Sequence, residues 1–116
     1  MKANTVLRSK VIMLERMARK QGIGVWRDAA TYLGASTRSE TIVNVTRLAR
    51  VQEADSRLFV PGKVLGAGAI ERKVVVGAFS FSAAARKKIE NAGGEALSID
   101  EFVKRFPDGS GVRLVR

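Results

Sequence analysis

Apolar residues recur near the start of the chain at Leu7, Val11, Leu14 and Ala18, a spacing that lines them along one stripe of an α-helix. The pattern predicts a helix from about Asn4 to Lys20, capped by Asn4 or Thr5. Arg16, Arg19 and Lys20 complement the negative end of its dipole, Glu15 and Arg19 are spaced as an i,i+4 ion pair, and Gly22 supplies a stop. A second helix is expected from Val25 to Leu33, with Trp26, Ala29, Ala30 and Leu33 on one face and Gly34 after it. Ala35 to Glu40 is polar and aperiodic, hence an exposed loop. The β-branched run Thr41 to Val45 predicts a strand, and Thr46 to Arg50 a single helical turn capped by Thr46. Arg57 to Val60 reads as a short strand ended by Pro61-Gly62. Lys73 to Phe79 is a stronger strand, its continuous apolar run typical of one covered on both faces. Ser82 caps a helix from about Ala83 to Asn91, with Ala85 and Ile89 inward and Gly93-Gly94 as terminator. Ser98-Ile99-Asp100-Glu101 is a capping box opening a helix through Phe102, Val103 and Phe106 to Pro107, and Val112 to Val115 adds an edge strand. Strands alternating with helices predict an α/β fold with a basic helical N-terminal arm.

The length of 116 residues suits one domain, expected to span 1–116 with residues 1–35 as the arm packed on a 41–116 α/β core. Lys and Arg number 21 against 11 Asp and Glu, giving a net charge of +10. Residues 1–50 hold 10 of the basic and 3 of the acidic side chains, so the N-terminal half is the more cationic. A balance this basic points to a polyanionic partner, nucleic acid first. The chain has no Cys, which excludes a disulfide framework and thiolate chemistry, and an intracellular setting is expected. It also has no His, which removes imidazole bases and the usual catalytic zinc ligands. Its longest apolar runs are far shorter than the roughly 20 residues a spanning helix needs, so no membrane partner is expected.

Two segments could carry chemistry. In the segment Gly62 to Gly68, Gly66 and Gly68 make the first half of a dinucleotide fingerprint, but Glu71 stands where the third glycine belongs, and no Lys follows Gly68 as a phosphate-binding loop would require. A glycine-bearing turn with Lys63 beside it is the preferred reading. The adjacent carboxylates Asp100-Glu101 are explained by helix capping. Catalysis, cofactors and a small-molecule substrate are therefore not expected.

The cations are the informative set, with 13 Arg to 8 Lys, since the planar guanidinium grips phosphate bidentately. About half are assigned to a solvated face, Arg86, Lys87 and Lys88 with Glu90 among them. The candidate RNA contacts are Arg16, Arg19, Lys20, Arg27, Arg38, Arg47, Arg50, Lys63 and Arg113, with Ser80 and Ser82 as hydroxyl donors where a helix opens. The aromatics fall in apolar patterns, so Trp26 and Tyr32 are expected in packing rather than base stacking. On these grounds a nucleotide-binding enzyme using residues 62–68 and a double-stranded DNA-binding module remain alternatives to RNA binding.

The order Val43-Asn44-Val45 with Leu48, Val60-Pro61-Gly62-Lys63-Val64-Leu65-Gly66-Ala67-Gly68, Val74-Val75-Val76, Ala78-Phe79-Ser80-Phe81-Ser82-Ala83, then Ile89 and Ala92-Gly93-Gly94, resembles the eighteen-e family of large-subunit ribosomal proteins, related to the bacterial fifteen proteins. Trp26-Arg27-Asp28 and Gly109-Ser110-Gly111-Val112-Arg113 extend the resemblance over nearly the whole chain, and the short length is like archaeal members. At Thr37-Arg38-Ser39-Glu40 the chain departs from the denser basic cluster of the family pattern. The resemblance implies an irregular β-β-α superhelical core, a cytoplasmic ribosomal setting, binding to large-subunit ribosomal RNA and neighbouring ribosomal proteins, and no catalytic residues.

Overall fold

A computed structural model describes residues 5–21, 24–33, 41–52, 57–107, 109 and 111–116; of 5–7, 20, 21, 24, 25, 32 and 33 it describes the backbone alone. The elements run α1 (Thr5–Gln21), α2 (Gly24–Leu33), β1 (Ile42–Asn44), α3 (Val45–Val51), β2 (Arg57–Leu65), β3 (Val75–Phe81), α4 (Ala83–Asn91), β4 (Glu95–Ser98), α5 (Ile99–Arg105) and β5 (Val112–Leu114). The class is α/β, as the sequence pattern predicts, with the strands in one sheet of order β1-β2-β3-β4 and β5 also paired to β2. Every pairing is parallel.

Both faces of the sheet are covered, which explains the continuous apolar runs of its inner strands. Leu58, Val60 and Val64 of β2, with Val76 and Ala78 of β3, pack against Leu48 of α3 and Ala85 and Ile89 of α4. Phe59 and Leu97 point the other way, into Leu14 and Ala18 of α1, Trp26, Ala29 and Ala30 of α2, and Phe102 and Val103 of α5. The helical N-terminus thus lies on the sheet by its apolar stripe. Trp26 is fully buried in edge-to-face contact with Phe59 and Phe102, and its Nε1 donates to the Pro107 carbonyl at 3.0 Å. The expected loop from Ala35 to Glu40 and the Tyr32 and Leu33 side chains lie outside the described residues.

Strand β2 departs most from expectation, because Pro61-Gly62 lies inside it. Proline offers no N–H to a ladder, so a central strand tolerates it only at an irregularity. Here β5 pairs with Arg57 to Phe59 and β1 with Lys63 to Leu65 along the same edge, leaving Pro61 in the gap between them. On the opposite edge the register to β3 shifts between Val60 and Lys63. Strand β4, absent from the sequence reading, occupies the four residues between Gly94 and the start of α5 and ends on the Ser98 cap. The strand expected over Thr41 to Val45 is shorter, and Asn44 rather than Thr46 holds the N-cap position of α3. Strand β3 runs from Val75 to Phe81 rather than from Lys73 to Phe79. The Ser82 cap accepts from the Ala85 N–H, the Ser98–Glu101 capping box is complete, and β5 forms where an edge strand was expected.

Candidate nucleic-acid interface

Three parts of the molecule carry the predicted contacts. On α1, Arg16 and Arg19 are exposed on the side away from Leu14 and Ala18; the Lys20 side chain lies outside the described residues. Glu15 and Arg19 form no ion pair, since the described ion pairs are Lys10–Asp100 at 2.6 Å and Arg105–Glu95. Arg27 is exposed on α2, and Arg38 lies outside the described residues.

The second group lies toward the carboxyl ends of the strands. Lys63 is exposed on β2, not on a turn beyond it, and its row across the sheet holds Ile42 of β1 and Ser80 of β3. The neighbouring row puts Val43 and Val64 into the core, so alternation turns Ile42 and Lys63 to the opposite face. Ser80 is half-buried within β3 rather than at a helix opening. Ser82 does stand there, where its hydroxyl oxygen accepts from Ala85 and its O–H remains a donor.

The third group gathers at the carboxyl end of α3, where unpaired helix carbonyls attract donors. Arg113 of β5 reaches the Val51 carbonyl at 3.4 Å, and Arg72 donates to the Gln52 carbonyl at 3.1 Å. Gln52, buried, donates back to the carbonyls of Arg72 and Lys73. Arg47 and Arg50 are exposed on the same helix. Sequence spacing missed Arg72, because the partner that positions it is 20 residues away.

The glycine segment is used differently from a phosphate cradle. Lys88 Nζ donates to the carbonyls of Gly66 and Gly68, both at 2.5 Å, so this lysine is a structural clamp and not a solvated partner of Glu90. Thr46 holds the Ala67 carbonyl through its N–H and its hydroxyl, and the Ala67 N–H points to Asn44 Oδ1. Gly68 adopts φ +93, and a Cβ there would fall 1.5 Å from Thr46 Oγ1. The loop is therefore tied by its own carbonyls to α3 and α4. Arg86 is exposed, as expected, but it is held by the fold rather than by Glu90: it donates to the Ala96 carbonyl at 3.1 Å and lies over the Phe81 ring.

Among the described residues, no cluster of acidic side chains could hold a metal ion, and no helix is long and apolar enough to cross a membrane. Among the described residues, the two carboxylates with lowered pKa values are structural. Glu95 is lowered first by the hydrogen bond from Arg105, and Glu101 first by the Ser98 backbone N–H and then by its hydroxyl.

Residues 26–97, from Trp26 through most of β4, match the family of ribosomal proteins that takes in 50S-L15, 50S-L18e and a 60S counterpart. The chain belongs to this family. Similarity extends beyond the matched span: the chain is 40% identical to the large ribosomal subunit protein eL18 of Halobacterium salinarum, over 99% of its own length and 98% of that protein. Against eL18 of Pyrobaculum aerophilum it is 39% identical over 97% of the chain and 92% of the relative, and against that of Methanothermobacter thermautotrophicus 36% over 98% and 94%. In this chain the 66–68 carbonyls are held by Lys88 and Thr46, so the glycine segment has a packing role.

Proposed function

We propose that this chain is a structural constituent of the large ribosomal subunit in the cytoplasm, binding large-subunit ribosomal RNA beside neighbouring ribosomal proteins and performing no catalytic step. The observation that carries this reading is similarity over nearly the full length to relatives named as large ribosomal subunit proteins. The net charge of +10 supports a polyanionic partner, and exposed Arg16, Arg19, Arg27, Arg47, Arg50 and Lys63 supply groups that phosphates would meet. Lys20, Arg38, Ser80, Ser82 and Arg113 complete the proposed contacts. The chain works in this reading as one domain over residues 1–116, because the stripe of α1 and α2 shares a core with Phe59 and Phe102. Sedimentation of the native protein through a gradient at moderate salt tests the proposal. It should travel with the large subunit; migration as free protein would refute the ribosomal reading.

A further inference from the structure

Helix α1 turns an unusual face outward. Successive helical residues rotate by roughly 100°, so the exposed Arg8, Ser9, Ile12, Glu15, Arg16 and Arg19 fall within an arc of about 120°. Ile12, 40% exposed, lies at the middle of that arc, opposite the side that buries Leu14 and Ala18. Glu15 marks one margin, and among the described residues none of the three arginines is ion-paired. The face is thus an apolar centre between cations, with no ion-pair partner for those cations among the described residues.

We infer that this face docks on double-helical RNA, lying across the shallow minor groove with Ile12 against the riboses and Arg8, Arg16 and Arg19 on the flanking phosphates. The inference rests on the RNA-binding reading above and adds the kind of RNA surface bound and the element that binds it. Arg8 and Arg16 are separated by about 12 Å of helix rise with Ile12 midway, so cations stand on both sides of the apolar contact. An A-form duplex offers the matching pattern, because its minor groove is wide, shallow and lined with riboses between two phosphate strands, whereas its major groove is too narrow to admit a helix. Single-stranded RNA fits less well, since the arc has no aromatic side chain for a base to stack on.

Because the chain has no cysteine, Ser9→Cys at the margin of the arc gives a single thiol for an iron chelate. Bound to protein-free large-subunit ribosomal RNA, the tethered iron should cut both strands of one double helix, with the cuts offset across its minor groove. Cuts confined to single-stranded loops would overturn the inference, as would no cuts while the RNA remains bound. In parallel, Arg8→Ala with Arg16→Ala should make the slope of log K against log salt shallower by roughly 1.5 to 2. Ile12→Ala should weaken binding roughly five- to tenfold with the slope unchanged. Unaltered melting temperatures would show that the variants fold. If the unmodified protein binds the RNA and these variants bind equally well, α1 is not the docking element and the RNA-binding reading survives. If the unmodified protein does not bind, both fall. Protection of α1 in the intact subunit by a protein neighbour, without RNA cleavage, would also overturn the inference.

Discussion

Gly77 sits in the middle of β3, where a Cβ would fall 2.4 Å from the Phe102 ring. The absent side chain is what lets α5 lie close to the sheet and bring Phe102 to Phe59 and Trp26. Gly77→Ala should therefore force the ring or the strand to move, lowering stability by about 1–3 kcal/mol in urea unfolding. A loss below the measurement error would mean that Phe102 has space to retreat. Lys63 is the opposite case, an exposed side chain with no hydrogen bond to hold it among the described residues. Lys63→Ala should weaken RNA binding while shifting stability by less than about 0.5 kcal/mol. A large fall in melting temperature with intact binding would assign the residue to the fold.

At the scale of elements, α5 shows how a short helix is fixed at its start. Its seven residues begin with reciprocal bonds, the Ser98 hydroxyl accepting from the Glu101 N–H and the Glu101 carboxylate accepting from the Ser98 N–H. Ser98→Ala should cost about 1 kcal/mol, measured by chemical denaturation. Glu95 and Glu101 both have pKa values below the ordinary 4.5. Their contribution is present in full above the unfolded value and is lost as pH falls through the lower folded values. Melting temperature should drop across that acid range, and Glu101→Gln should flatten part of the drop; an unchanged profile in the variant would remove Glu101 from the account. The loop between β2 and β3 is held by Lys88, Thr46 and Asn44 with its carbonyls engaged. A true nucleotide ligand at one hundred times its dissociation constant would stabilise the fold by about 2.7 kcal/mol. ATP, GTP or a nicotinamide dinucleotide with magnesium should produce no shift in melting temperature, and a saturable shift abolished by Gly66→Val would restore the enzyme reading.

For the whole molecule, charge rather than any single contact governs the expected affinity. If about five to eight phosphates are neutralised, log K for ribosomal RNA should fall against log salt with a slope of roughly −4 to −7. A slope near zero would show that the +10 charge is not what binds. The sheet gives those charges fixed positions: β2 pairs with β1, β3 and β5, so groups from opposite ends of the chain are held relative to one strand.

Local periodicity and end chemistry determined the helices. The stripe of α1, the Trp26 face of α2, the Ser82 cap and the Ser98–Glu101 box each depend on residues within a few positions of one another. Net charge, the excluded chemistries and the ordered run of family motifs were likewise written in the chain. Tertiary structure decided how Pro61 fits inside β2, because that depends on where β1 and β5 leave their edge unpaired. It decided that Glu95 to Ser98 is a strand, since four residues carry too little pattern without β3 beside them. It also separated the cations tied to the fold from those turned outward. Lys88 finds its carbonyls 22 and 20 residues away, and Arg72 finds one 20 residues away. Sequence spacing cannot register such partners, because a side chain's reach is set by the packing of the whole sheet and not by its neighbours in the chain.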